Sequence, residues 1–309
     1  WEHVVALGAK EAGLVWTEIA DLAENTTYYY RLFASNSFGG RWTGTSVRFT
    51  TAFETPSVKR NGLVLWLRAD AGVQHSNGWV HAWADQATDI GGANDAAAVG
   101  NSRPLFVPEG VDGRAAIRFD GTDDFLAVPD HDALDLGTGA GKGWTVLTVY
   151  LREKSGTQCI VSKGTAGSDT TDWRLFSEDA GVVWGSGASS DSNAWFRVAE
   201  PPANQPHLLA ATLTQTGETE GTKVFYINGQ PHPSDPYAAK APANDQQMVI
   251  GGFNASLGNL GGLVAEVLVF NRVLNEDDLN NVGWYLQQKY GINGAFEYRA
   301  PRGTLLQLR

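Results

Sequence analysis

The sequence predicts an all-β protein, a two-sheet antiparallel sandwich with one C-terminal helix, preceded by a smaller β unit. Three observations carry this. Short runs alternate apolar and polar residues, the pattern in which successive strand side chains point to opposite faces. Clusters of Gly, Ser, Thr, Asn and Asp interrupt these runs, and with Gly at 36 of 309 positions turns must be frequent. Helical spacing occurs once, after the last strand-like run. Because no helical segment lies between the runs, their connections are hairpins and the sheets antiparallel, not parallel α/β.

The first fifty residues hold the strand-like runs AGLVWTEIADL, TTYYYRLFASNSF and TSVRFTT. Leu22, followed six residues later by Tyr28 in LAENTTYYYRLFASN, resembles the tyrosine corner of a fibronectin type III domain. The resemblance runs to Thr51 and covers the second half of such a module, which as a whole needs about 100 residues and seven strands. It implies a partial sandwich over residues 1–52 with an unpaired edge, covered by the next domain, by another protein chain or by the rest of a longer parent protein. The start at Trp1, with neither methionine nor a signal-peptide pattern, predicts a mature or excised fragment. Residues 53–61, within the Pro-containing, charged stretch AFETPSVKRNG, read as a linker.

Candidate strands then follow in order: 63–69, 79–84, 115–120, 144–151, 158–163, 172–177, 182–184, 195–198, 207–214, 222–228, 247–251 and 263–270. In KVFYINGQ, Val224 and Tyr226 take one face and Phe225 and Ile227 the other, while Asn228-Gly229 supplies the positive-φ turn of a hairpin. Trp66, Trp83 and Trp144 stand in dense apolar alternation and belong to the core. NEDDLNNVGWYLQQKYG is the helix. Asn275 is its N-cap, Glu276, Asp277 and Asp278 meet the positive end of its dipole, and Leu274 staples to Leu279. Lys289 lies in the last turn and Gly291 closes the end. The tail, 294–309, carries no strong signal.

Charge and composition exclude several functions. A net charge of −11 with scattered Lys and Arg offers no basic face for nucleic acid. No run reaches the roughly 18 apolar residues of a membrane helix. The single cysteine, Cys159, cannot form an intramolecular disulfide and reads as a buried small hydrophobe. Neither a GxSxG elbow nor an HExxH or paired-cysteine motif is present, so nothing marks serine or zinc chemistry.

Three stretches together resemble the concanavalin A-like lectin/glucanase superfamily, and within it the laminin-G-like jelly rolls of bacterial extracellular proteins. They are LVLWLRADAGV with WVHAWADQATDIGGANDAA, IRFDGTDDFLAVPD, and LVAEVLVFNRVLNEDDLNNVGWYLQQKYGI, spanning 62–293. The resemblance implies a jelly roll of two curved sheets, six or seven strands each, stacked about 10 Å apart. It also implies glycan binding, secretion or display at a bacterial cell surface, and company with fibronectin-type modules in multidomain proteins.

Glucanases of this superfamily carry their acids as Glu-x-Asp-x-Glu along one strand, so that both face one cleft about 5 Å apart. No such run is present: Glu218 and Glu220 lie in a turn, Glu178 and Asp179 join two strands, Glu276 begins the helix, and Glu266 stands alone in its strand. The acids of IRFDGTDDFLAVPD, with Asp120, Asp123 and Asp124 around Gly121, read first as acceptors for turn amides. A carboxylate cluster can also hold calcium. The favoured calcium loop is DQATDIGGAND, where Asp85, Asp89, Asn94 and Asp95 stand among glycines and resemble, with an insertion, a segment common in these jelly rolls; its role is structural.

Sugar binding needs exposed aromatic faces beside polar groups that bond hydroxyls. The segment DTTDWRLFSEDAGVVWGSGASSDSNAWFRV offers Asp172, Trp173, Arg174, Trp184, Asp191, Asn193 and Trp195, with Tyr237 and Asn254 in later loops. The sequence therefore predicts a non-catalytic extracellular carbohydrate-binding or adhesion module of a larger secreted protein, with a polysaccharide or glycan as partner. The alternatives are a glycoside hydrolase with an atypical carboxylate pair and a purely structural assembly module.

Overall fold

The computed structural model describes residues 4–11, 17, 19, 27–50, 61–87, 94–135, 141–164, 173–186, 195–217, 221–237, 245–253 and 258–299; for 27, 49, 50, 186, 195 and 233–237 it describes the backbone alone. The chain divides into two compact units, Trp1–Thr55 and Pro56–Arg309. The expected linker falls at this boundary and, apart from Asn61, lies outside the described residues, as does Leu22.

In the first unit β1 (Thr27–Tyr30) pairs with β4 (Val47–Thr50), and β2 (Phe33–Asn36) with β3 (Gly39–Trp42), both antiparallel. The bond from the Thr43 N–H to the Leu32 carbonyl, 2.8 Å, ties the two pairs into one long hairpin. A two-stranded ribbon is marginal by itself.

The second unit contains β5 (Leu63–Arg68), β6 (Val73–Ser76), β7 (Trp79–Trp83), β8 (Ala96–Ala98), β9 (Leu105–Val111), β10 (Arg114–Asp120), β11 (Leu126–Val128), β12 (Gly143–Arg152) and β13 (Gln158–Lys163). It continues with β14 (Trp173–Glu178), β15 (Gly181–Ser186), β16 (Trp195–Val198), β17 (Pro206–Gln215), β18 (Gly221–Ile227), β19 (Gln230–Tyr237), β20 (Met248–Ile250), β21 (Gly261–Phe270) and helix α1 (Glu276–Lys289).

All pairings are antiparallel. One sheet runs β19-β18-β17-β12-β21; the far edge of β21 pairs with β10 through its first half and with β5 through its second, and β10 continues to β9. The other runs β16-β15-β14-β13-β20-β11-β8-β7-β6. A single pair, Trp79↔Leu105, joins them into a nearly closed sandwich. The sheets thus hold more strands than the six or seven expected. The additional ones are those that alternation conceals: β8 and β11 have three residues each and β6 four, β9 contains Pro108, and β19 contains Pro231, Pro233 and Pro236. Proline is tolerated in β19 because that strand is an edge, pairing with β18 alone among the described strands.

The two sheets meet over tryptophans. Trp144 of β12 packs edge-on against Trp173 of β14, ring centroids 4.7 Å apart, and both lie against Trp184 of β15. All three are fully buried, as are Trp83 and, nearly, Trp66. Asn228-Gly229 turns with φ of 50° and 80°, as its sequence demands.

β21 is buried along its whole length. Val264, Val267 and Val269 join the core between the sheets, whereas Glu266 points outward to α1. Helix α1 begins as expected, with Asn275 Oδ1 accepting the Asp278 N–H at 2.8 Å, and Gly291 follows it at φ +59°. Residues 294–299 of the tail, unmarked in the sequence, fold back along the helix: Gln287 exchanges hydrogen bonds with the Phe296 backbone at 3.0 and 3.1 Å, and the Phe296 ring lies over Gly283, where any Cβ would collide with it.

Glu266 is fully buried yet fully engaged. Its Oε1 accepts from Trp66 Nε1 at 2.6 Å and the Tyr285 hydroxyl at 3.2 Å, and its Oε2 from Lys289 Nζ at 2.6 Å and the Tyr290 hydroxyl at 2.8 Å. Lys289 also reaches Asp70 at 3.1 Å. Burial alone would raise the Asp70 carboxyl, but Arg68 and Lys289 hold it down to about 2. Lys289 therefore does more than complement the helix dipole: it docks the helix to the sheet. Removing one partner of a buried pair strands the other charge, so Glu266→Gln and Lys289→Met should each cost about 3 kcal/mol in urea unfolding followed by tryptophan fluorescence. The double variant should cost at least about 1 kcal/mol less than the sum, and strict additivity would refute the coupling.

Candidate functional site

FDGTDD makes a self-clamping turn. Asp120 Oδ1 accepts the N–H groups of Thr122, Asp123 and Asp124 at 2.7, 3.3 and 3.4 Å. Asp124 Oδ2 accepts the Asp120 N–H and its Oδ1 the Arg103 N–H, both at 3.1 Å. Lys154 Nζ bonds the Asp120 carbonyl, and Asn259 Nδ2 the Thr122 carbonyl at 2.6 Å. Of the three acids expected to satisfy turn amides, Asp120 and Asp124 do so.

The same turn forms one wall of a cleft of about 350 Å³, lined by Trp79, Asn101, Arg103, Asp120, Asp123 and Asp124. Trp79 enters it because Asn77-Gly78, with φ of 52° and 88°, reverses the chain between β6 and β7 and leaves the ring at the first position of β7. Its backbone pairs with Leu105, which brings the 101–103 segment alongside. The indole is 50% exposed, in contrast to the buried tryptophans of the core. Sequence reading passed over Trp79, although the Asn-Gly preceding it is a turn signal that places the next residue at a strand end.

Ligand oxygens of Asp120, Asp123 and Asp124 lie within 4.8 Å of one another, so the three could hold a metal ion. Asp120 and Asp123 are exposed and Asp124 is 8% exposed. Burial, then the charges of Asp120 and Asp123, pushes the Asp124 carboxyl up to about 6 against the pull of its two amide bonds. Asp120 departs the other way: burial would raise it, but the three turn amides outweigh burial and lower it.

The favoured calcium loop has another occupation. Asp85 Oδ1 accepts from Trp66 N at 2.8 Å and Ala87 N at 2.9 Å, and its Oδ2 from Asn94 N at 3.2 Å. Asp95 Oδ1 accepts the Asp85 N–H at 2.8 Å, and Asn94 Nδ2 donates to the Val64 carbonyl at 2.7 Å. These hydrogen bonds pin the loop to β5, so its ordering rests on the protein's own side chains. Asp89 lies outside the described residues.

Three residues of the expected sugar platform, Trp173, Arg174 and Trp184, are buried. Trp173 and Trp184 are fully buried in the sandwich core, and neither presents a face to a ligand. They sit in alternating strands on the side that meets Trp144, where ring burial outweighs exposure. Arg174, 5% exposed, lies 5.7 Å from the Phe176 ring and 5.6 Å from that of Phe253, and burial lowers its pKa to about 10. Asp172, Asp191, Asn193 and Asn254 lie outside the described residues, as do the side chains of Trp195 and Tyr237, whose backbones begin β16 and end β19.

No curated protein matches the chain. Among solved structures it is similar to a Trypanosoma rangeli sialidase in complex with sialic acid, at 18% identity and a TM-score of 0.49, over 77% of this chain and 34% of that one. It is also similar to botulinum neurotoxin type C, whose cell entry depends on interaction with two ganglioside molecules, at 11% identity and a TM-score of 0.52, over 75% of this chain and 53% of that one. The receptor binding domain of botulinum neurotoxin type G matches at 12% identity and a TM-score of 0.49, over 74% and 52%. The chain thus spans about a third of the sialidase and about half of the neurotoxin chains. At these identities the likeness is one of fold. The family model of the concanavalin A-like lectin/glucanases superfamily matches residues 120–280, from the FDGTDD turn into α1. With more than half its length matched and a two-sheet antiparallel sandwich around it, the chain belongs to that superfamily.

Proposed function

We propose that the protein is a non-catalytic carbohydrate-binding module of a larger extracellular protein, and that its sugar site is the cleft at Trp79. The observation that carries this is one exposed indole face beside Asp120, Asp123, Asn101 and Arg103 in a cavity of about 350 Å³, the pairing of aromatic platform and hydroxyl-bonding groups that pyranose rings require. The ganglioside interaction of the type C neurotoxin, which shares the fold, supports a glycan as partner. Among the described residues no helix is long and apolar enough to cross a membrane.

Calcium fits the Asp120, Asp123 and Asp124 set by its chemistry, since all three present hard carboxylate oxygens. Two of the three already accept turn amides, so such an ion would be weakly held and would brace the turn. The chain's own residues do the binding: Trp79 stacks, Arg103 and Asn101 bond hydroxyls, and the turn fixes their spacing. The splitting of Asp124 and Asp120 to opposite sides of the ordinary carboxylate range favours a second reading, a hydrolase with Asp124 as acid. Asp124 is buried and committed to backbone on both oxygens, which weighs against it.

On a glycan array, Trp79→Ala should weaken binding about tenfold, about 1.4 kcal/mol, while leaving thermal unfolding unchanged because the ring is half exposed. Silence of the unmodified protein across neutral and sialylated glycans would refute the reading, and release of reducing ends, lost in Asp124→Asn, would replace it with the hydrolase.

In a carbon-detected NMR titration Asp124 should protonate near pH 6. Its folded pKa lies above the ordinary value, so its contribution to stability is complete below about pH 4 and lost as pH rises through 6. Calcium at about 1 mM, the range of extracellular modules, should move that midpoint down; an unmoved midpoint refutes the metal.

A further inference from the structure

Phe38 is 97% exposed, an unusual position for so large a ring. It is held there by local chemistry: β2 and β3 are joined by Ser37 and Phe38, and the Phe38 N–H donates to Asn36 Oδ1 at 2.9 Å. That Asx turn fixes the loop and aims its second residue into solvent.

The two faces of this hairpin differ. Phe33 pairs with Trp42 on one face, ring centroids 5.0 Å apart. On the other, Ala34 stands opposite Arg41 and Asn36 opposite Gly39, so Arg41 and Asn36 are separated only by small residues. A shallow cleft of about 360 Å³ opens beside them at this end of the hairpin, lined by Ala34, Ser35, Asn36, Phe38, Gly39, Gly40 and Arg41. Its size is that of a small-ligand site.

Charge indicates what it takes. Residues 27–50 contain Arg31, Arg41 and Arg48 and neither Asp nor Glu, in a chain whose net charge is −11. Arg31 bonds the Gly44 carbonyl at 2.9 Å, whereas Arg41 and Arg48 are exposed. Residues 27–50 are thus a locally cationic, aromatic stretch of an acidic protein, and an anionic ligand would meet attraction from them.

We propose that the β2-β3 hairpin is a second binding site, for an anionic sugar residue of a carboxylated or sulfated polysaccharide. Phe38 presents its face to the C–H side of the pyranose, Arg41 its planar fork to the carboxylate or sulfate, and Asn36 its amide to a hydroxyl. An acidic protein partner would need about 800 Å² of matched surface on each side, whereas the concave feature on this face is of single-sugar size. The site uses residues of the first unit alone and stands independently of the Trp79 cleft.

Affinity electrophoresis of the full chain through gels containing polygalacturonate, dextran sulfate, neutral dextran or poly-L-glutamate tests this. Retardation is expected with at least one anionic polysaccharide and none with neutral dextran. Arg41→Gln and Phe38→Ala should weaken it about fivefold, about 1 kcal/mol, and Trp79→Ala should leave it unchanged. Arg41→Lys keeps the charge but loses the fork, so it should weaken binding as well, and all variants should keep the near-ultraviolet circular dichroism of the unmodified chain. The proposal is overturned if neither anionic polysaccharide retards the protein, if Arg41→Lys binds as well as the unmodified chain, or if poly-L-glutamate retards it as strongly, which would assign the patch to acidic protein chains.

Discussion

The buried carboxylate of Glu266 is the constraint around which the second unit is arranged. An ionised group cannot stay in a sheet interior without partners, and here Trp66, Tyr285, Lys289 and Tyr290 surround it. The sheet has an outer face too apolar to leave in water, and the helix that covers it is correctly placed only when Lys289 and both tyrosines reach one point on β21. A bare hydrophobic stripe would tolerate sliding by a turn; a four-bond anchor does not. The Phe296 tail then closes over Gly283, fixing the helix from its far side.

Carboxylates play a comparable part in the loops. Asp85 and Asp120 each gather backbone amides that a tight reversal would leave orphaned. The turn that walls the Trp79 cleft is therefore ordered from within, by side chains of the protein itself. A recognition surface built this way is preorganised, and a ligand meeting it need not supply the free energy of ordering it.

Much of the fold and less of the candidate site was legible in the sequence, for one physical reason. Strands such as β12, β17 and β21 announce themselves because alternation or continuous apolarity reflects burial, and α1 is marked at its start by Asn275. Strands whose environment is irregular stay hidden, as the prolines of β19 and the brevity of β8 show. Sites depend on which faces remain open, and local pattern does not report that. Trp173 and Trp184 stand in strands flanked by polar loops and turn inward, whereas Trp79 sits in an ordinary apolar run and is half exposed. Lys289 looked like a dipole charge because its partner lies 23 residues away in the chain. The FDGTDD turn was legible because Asp120 and Asp124 accept amides within four residues of themselves.

The prolines of β19 have an architectural consequence. At Pro231, Pro233 and Pro236 the strand has no N–H to offer a further neighbour. An open rim is where one sandwich would otherwise stitch onto the next. With this rim blunted, identical sandwiches strung along a single polypeptide or crowded on one surface can stand shoulder to shoulder along that margin without exchanging strands, each keeping its own outline.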